Sequence, residues 1–334
     1  MTLKLAINAR FRHRRITGVG RYAHEISKRL TLPKRFIEPG HSTGQVGGHL
    51  WEQFILPAKI QNGDVLWSPA NAGPWLVKKQ VVTIHDASVF DHPEWFNPTF
   101  AAWTRLSWKI LARRARALIT VSEFSRQRLK HHLNLPDEKI HVIYNGVGEP
   151  FEPQSAGRAA AVKEKYGIRK PYFLFVGTLE PRKNLHTLLK AWEQLNLKTH
   201  ELFLAGTEGL VFSSASHAKS VTCVLDEDLP ALYSGAAAFV YPSLYEGFGL
   251  PVLEAMACET PVITSNTTAF PEIFGDAALL IDPARPEDII RAMQEIIENN
   301  SLANTLRERG MKKARELSWE KSTVKTETIF KGIV

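Results

Sequence analysis

The sequence predicts an α/β protein of two domains, each built on a parallel sheet. Three observations predict it. Short β-branched runs alternate with amphipathic stretches along the whole chain, the order expected of strands joined by right-handed helical crossovers. The runs are apolar at consecutive positions, as strands covered on both faces by helices should be. Near the middle, residues 149–157 combine prolines, a serine and a glycine without periodicity and read as a linker.

In the first half, Leu3–Asn8, Val65–Ser68, Val81–His85, Ala117–Val121 and His141–Ile143 are the expected strands. In the second they are Tyr172–Val176, Glu201–Ala205, Val221–Val224, Ala237–Tyr241, Val262–Thr264 and Ala278–Ile281. The segment from Phe36 to Gly48 offers no helix. Phe100–Leu118 reads as an amphipathic helix, with Phe100, Trp103, Leu106 and Ile110 on one face and Arg105, Lys109, Arg113 and Arg116 on another. Such a helix either lies on anionic lipid or faces a core with a solvated basic side. Two Rossmann-like domains facing each other would place ligands in the cleft outside the carboxyl ends of the strands.

Composition narrows the function. The chain has 334 residues, 44% apolar and 23% charged, which excludes a disordered chain and a small disulfide scaffold. Cys223 and Cys258 are too few for a disulfide framework or a thiolate metal site, so a reducing, cytoplasmic setting is expected. The first residues, Met1–Ala6, show no signal peptide pattern, and no run of apolar residues is long enough to span a membrane. Lys and Arg number 42 against 34 Asp and Glu, a net charge of +8. Up to Pro150 the net is +11 and beyond it −3. A basic first half suits an anionic partner such as acidic lipid or a phosphate-bearing substrate, or simply keeps the protein soluble. No recognised nucleic-acid module is present, so nucleic acid is not an expected partner.

Residues that follow strands carry the chemistry. After the first strand, Gly18 and Gly20 open a helix, where backbone amides can meet an anion. Ala23 breaks the Gly-x-Gly-x-x-Gly pattern, and a dinucleotide site is not supported. His85 ends another strand, where it either hydrogen-bonds a ligand or pairs structurally with Asp86. In the second half, Arg182 and Lys183 stand just after a strand, as a diphosphate site requires. The segment from Tyr241 to Ala257 places Glu246 in a Gly-containing loop and Glu254 about one turn into the next helix, with Pro251 as its first residue. The amides of Gly247, Phe248, Gly249 and Leu250 would again favour an anion, and each carboxylate suits a sugar diol.

With these residues in order, the chain resembles the retaining nucleotide-sugar glycosyltransferases of family 4, which have the B-type glycosyltransferase fold. The resemblance rests on Glu246-x7-Glu254, on Val176–Asn184, and on Thr17–Tyr22, Val121–Ser125, Tyr144–Val147, Leu225–Tyr233 and Leu317–Glu320, all in the family's order. It implies an acceptor-binding domain over residues 1–150, a donor-binding domain over 158–315, and a closing segment, 316–334, that returns to the first domain. It also implies roles. Glu254 would hold the donor ribose and Glu246 the transferred sugar. Arg182 and Lys183 would bind the diphosphate, helped by Gly18 and the Gly247–Leu250 amides. His85 would sit beside the reacting sugar, and Val224 and Asp226 near the base. Donor and acceptor would be a nucleotide sugar, GDP-mannose or a similar GDP-hexose, and a glycan or lipid-diphosphate-linked saccharide of surface-polysaccharide (lipopolysaccharide) synthesis. The resemblance implies transfer without a cofactor or a metal, consistent with these cations neutralising the leaving group. The enzyme would be cytoplasmic and peripheral on an anionic membrane surface. Thr178 stands where many relatives carry Arg, which leaves that charge to Arg182. Two other classes fit the residues: an epimerase of the same fold, which needs no acceptor, and a non-catalytic binder of anionic polymer or membrane through Arg10–Arg15 and Phe100–Leu118.

Overall fold

In the computed structural model, the described residues are 3–13, 17–40, 44–178, 180–206, 218–221 and 224–333. They form two compact units, residues 1–145 with 319–334, and 146–318. The first contains strands β1 (Leu5–Asn8), β2 (Lys34–Ile37), β3 (Val65–Ser68), β4 (Gln80–Thr83), β5 (Ala117–Thr120) and β6 (Ile140–Val142). The second contains β7 (Tyr172–Val176), β8 (Glu201–Ala205), β9 (Ala218–Val221), β10 (Ala238–Tyr241), β11 (Val262–Ser265) and β12 (Leu279–Ile281). Both sheets are parallel, in orders β2-β1-β3-β4-β5-β6 and β12-β11-β10-β7-β8-β9.

The central strands are apolar at consecutive positions because helices cover both faces, and β3, β4, β5 and β10 are buried throughout. The strand order fixes where a ligand can sit. Chain connections leave β1 and β3 in opposite directions in one sheet, and β7 and β10 in the other. At each switch the loops splay apart and open a crevice at the strands' carboxyl ends.

Four expectations need correction. An additional strand, β2, occupies Lys34–Ile37; only Ile37 of its four residues is buried, so it lacks an apolar run. The span from Phe36 to Gly48 does contain a helix start, because residues 45–58 form one helical run with a π-turn at Trp51–Ile55. The edge strand β9 lies at Ala218–Val221 rather than Val221–Val224, and Thr222 and Cys223 lie outside the described residues. The helix expected over Phe100–Leu118 spans Pro98–Arg114, and its buried face is Ala101, Thr104, Ser107, Trp108, Leu111 and Ala112. Ala101, Trp108, Leu111 and Ala112 of that face pack in one core cluster with Val82 and Leu118, while Leu106 stays exposed.

Residues 149–157 do not hang free. Phe151 is buried, with its ring 6.1 Å from that of Tyr233, and the Gln154 amide donates to Ser234 Oγ at 3.0 Å. The helix Trp319–Lys331 belongs to the first unit. Ser322 Oγ donates to the Tyr144 carbonyl at 2.6 Å, Thr31 Oγ1 donates to Glu327 Oε2 at 2.9 Å, and Phe330 packs on Trp67.

Candidate active site

The switch between β7 and β10 in the second unit carries a buried charge cluster. After β7 a 3-10 turn, Pro181–Lys183, is closed by Asn184 in the left-handed region at φ 56°. Asn184 ties three loops together, because its Nδ2 donates to the carbonyls of Pro242 at 3.1 Å and Pro283 at 2.6 Å. The loop after β10 is stitched to the same turn by Leu244 N and Ser243 Oγ, both donating to the Arg182 carbonyl at 2.7 and 2.8 Å. Two loops distant in sequence are thus held in one register.

Glu246 is the centre. Its Oε1 accepts from Lys183 Nζ at 2.5 Å, Tyr241 Oη at 3.0 Å and Ser243 Oγ at 3.1 Å. Its Oε2 accepts from Arg182 at 3.0 Å. Lys183 Nζ also donates to Tyr241 Oη at 2.5 Å, which closes a ring of three groups. Arg182 is shared with Glu180, whose other oxygen accepts from Thr178. Burial alone would raise the Glu246 carboxyl, but the Lys183 and Arg182 charges outweigh it and hold it at about 2. Burial lowers the Lys183 ammonium against the pull of Glu246, and it drives the Tyr241 phenol well up, so Tyr241 remains a donor. A buried carboxylate with these donors is charged at neutral pH and fixed in place.

The same loop continues into the helix Leu250–Ala257. Gly249 caps it at φ +100°, and a Cβ there would lie 2.5 Å from Phe270 Cε1, so only glycine fits. Pro251 is the second helical residue rather than the first, and it has no N–H. Val252 N is bonded to the Gly249 carbonyl at 3.0 Å. Among the first three helical residues that leaves Leu250 to offer an amide forward. Glu254 is buried one turn on and accepts from Tyr233 Oη at 3.4 Å.

Arg182, Lys183 and Glu246 are thus brought together, with Gly247, Phe248, Gly249, Leu250 and Glu254 in the segment that continues from them. Val224 is half-buried and Asp226 exposed, beyond the edge strand β9. The buried carboxylate of that region is Asp228, which accepts from Arg158, Lys165 and Tyr166 at 2.6–2.8 Å and fastens the helix Ala156–Lys165.

In the first unit, Gly18 is the first residue of the helix Gly18–Arg29, with Thr17 as its N-cap. His85 follows β4 and is buried; its Nε2 faces the Pro69 carbonyl at 3.0 Å, and Tyr22 meets its ring edge-on at 4.7 Å. Burial lowers the imidazole pKa, so the ring is neutral with its proton on Nε2. Asp86 accepts instead from Ser88 N and Oγ at 2.8 and 2.5 Å.

Sequence reasoning missed Tyr241, Ser243 and Glu180, whose positions at the end of β10 and just after β10 and β7 were the available signal. It also missed a second cluster, at the switch of the first sheet. Arg10, in the basic stretch from Arg10 to Arg15, is buried and paired with Glu52 on the π-turn, and Glu52 Oε1 accepts from Asn8 Nδ2 at 2.9 Å. Arg12 lies over the Phe36 ring at 3.7 Å. Arg14 and Arg15 lie outside the described residues.

A family described as "Glycosyl transferases group 1" matches residues 160–313, and "Glycosyltransferase Family 4" matches residues 59–148. O-antigen chain mannosyltransferase B of Escherichia coli is 35% identical over 272 residues, covering 77% of this chain and 71% of that protein. The chain is a family 4 glycosyltransferase. An O-antigen chain mannosyltransferase of Salmonella typhimurium is 32% identical to this glycosyltransferase over 233 residues, 67% of this chain and 61% of that one. Among solved structures, a sucrose-phosphate synthase from Thermosynechococcus elongatus aligns with a TM-score of 0.77 at 18% identity, covering 99% of each chain. That likeness establishes the fold, the B-type glycosyltransferase architecture of two parallel α/β sheets.

Proposed function

We propose that this glycosyltransferase moves mannose or a similar hexose from a GDP-linked donor to a glycan or lipid-diphosphate-linked saccharide of a surface polysaccharide, retaining the anomeric configuration and using no metal. The sugar and pathway are supported by the two relatives named as O-antigen chain mannosyltransferases. The observation that carries the reading is a guanidinium and an ammonium held on one buried carboxylate at the β7–β10 switch.

The donor diphosphate is assigned to Arg182 and Lys183. Glu246 fixes both cations before substrate arrives, so little reorganisation is needed when charge develops on the departing phosphate; one such donor contributes about 3 kcal/mol. Two of the three N–H groups of the Lys183 ammonium are spent on Glu246 and Tyr241. Both Glu246 oxygens are occupied by donors, which argues against a covalent glycosyl–Glu246 intermediate. The bond from the sugar C1 to the phosphate oxygen breaks, the acceptor oxygen bonds to C1 on the same face, and the acceptor's proton passes to the released phosphate. Glu254 would take the ribose hydroxyls, and Val224 and Asp226 the base. The first unit is assigned the acceptor, with His85 as a neutral hydrogen-bonding group. No described helix is long and apolar enough to cross a membrane, and we place the enzyme on the cytoplasmic side, peripheral to the membrane.

Thermal shift with GDP-, UDP- and ADP-sugars tests the donor. GDP-mannose should stabilise the protein most, and Glu254→Ala should abolish that gain. Equal shifts with all three, or none, would remove the donor assignment. NMR of the product should show the anomeric configuration of the donor, and an inverted product would end the proposed mechanism.

A further inference from the structure

The first unit carries an apolar face that its own core does not use. Along the helical run 45–58, Val46, Leu50 and Phe54 recur one turn apart and are 74, 55 and 73% exposed. The other side of the run buries Trp51, Glu52 and Leu56. Side-chain bonds join this run to two neighbours. Gln53 Nε2 donates to the Gly73 carbonyl at 3.1 Å, and its Oε1 accepts from Trp75 N at 2.9 Å. Trp75 in turn donates from Nε1 to Ser107 Oγ at 2.9 Å and packs its ring 4.9 Å from that of Trp103, which also meets His49 at 5.7 Å. The loop around Leu76 and the helix Pro98–Arg114 therefore continue the same surface, and they add Leu76, 72% exposed, and Leu106, 52% exposed.

Charge decides what this face can meet. Residues 44–60, 74–80 and 98–116 contain eight Lys and Arg and a single carboxylate, Glu52. That carboxylate is buried and neutralised by Arg10. Lys109 and Arg113 are exposed one and two turns from Arg105, beside Leu106. Exposed aliphatic and aromatic groups among cations, with no outward acid in these segments, match a surface of anionic headgroups over hydrocarbon. A protein partner of ordinary mixed charge would not call for this exclusion of acids.

We infer that this face docks on an anionic lipid surface, with Val46, Leu50, Phe54, Leu76 and Leu106 entering the headgroup–acyl boundary and the cations meeting lipid phosphates. The inference deepens the proposed function and rests on its lipid-carried acceptor for its purpose. It moves the contact from the Arg10–Arg15 stretch and the Phe100–Leu118 helix to the helical run 45–58, which carries three of the five exposed apolar residues.

The test is co-sedimentation of the full chain with vesicles of phosphatidylglycerol and phosphatidylcholine, against phosphatidylcholine alone. The protein should bind only the anionic vesicles, and high salt should release it. Leu50→Ser/Phe54→Ser and Lys109→Glu/Arg113→Glu should each weaken binding about tenfold or more, with melting temperature and GDP-induced stabilisation unchanged. Protein that stays in the supernatant with anionic vesicles at low salt would overturn the inference, as would variants that bind like the parent. So would a dimer in solution that Leu50→Ser/Phe54→Ser converts to monomers without any vesicle binding, since the face would then belong to a second copy. Vesicle binding without any response to GDP would count against the donor reading and leave the docking face standing.

Discussion

Replacing Glu246 with Gln keeps the side chain's shape and removes its charge. The folded carboxyl titrates at about 2 instead of 4.5, because Lys183 and Arg182 more than offset a burial that would raise it. That difference corresponds to roughly 3 kcal/mol of preference for the charged form over a neutral one. The sign follows from the depressed value: the stabilisation is complete above pH 4.5 and is lost as pH falls toward 2. Glu246→Gln should therefore cost roughly 3 kcal/mol at neutral pH, and less than about half of that near pH 3, where the parent's own unfolded carboxyl is protonated. Urea unfolding of both proteins at the two pH values, followed by circular dichroism, measures the difference. A variant within about 0.5 kcal/mol of the parent at neutral pH, or a gap that does not shrink in acid, would refute the view that both cations are held by this carboxylate.

Lys183→Ala should lower turnover by about a hundredfold, as loss of one preorganised donor to a developing oxyanion does; steady-state rates on a protein shown to be folded check this. Gly249→Ala should lower the melting temperature by several degrees, since it combines about 1–3 kcal/mol of left-handed strain with a clash on Phe270. His85 is held neutral by burial, below its usual pKa. Its contribution to stability is present above about pH 6.5 and declines as pH falls through that value. A His85→Asn variant should flatten this part of the stability profile, and an unchanged slope would show that other histidines set it.

Much of the fold was legible because its central strands are buried on both faces, so that Tyr172–Val176 or Ala238–Tyr241 stand out as unbroken apolar runs. Edge strands carry no such mark. Lys34–Ile37 buries one residue, and Ala218–Val221 reads as polar as a loop. The helical run 45–58 was hidden by Gly47 and Gly48, poor helix formers that tertiary bonds from Gln53 and Glu52 override. In the helix Pro98–Arg114 the conspicuous Phe100, Trp103, Leu106 and Ile110 drew attention from the face that is buried, where Trp108 and Leu111 stand among the less conspicuous Ala101, Thr104, Ser107 and Ala112.

For the candidate site, position after a strand was enough to find Arg182, Lys183 and Glu246. Their partners were not legible. Tyr241 meets Lys183 across 58 residues of sequence, and Arg10 meets Glu52 across 42. Only the strand order brings such pairs together, and a basic run read as surface hid the buried member of the second pair. Asp226 and Asp228 show the same limit: two acids in one turn, one exposed and one buried beneath Arg158 and Lys165, with no local pattern to tell them apart.

Calorimetric titration of GDP and of guanosine into the parent and into Lys183→Met most directly tests whether the β7–β10 cations receive a diphosphate. GDP should bind the variant at least about tenfold more weakly than the parent, while guanosine binds both alike. Equal GDP affinity for the two proteins, or a parallel loss for guanosine, would contradict the assignment.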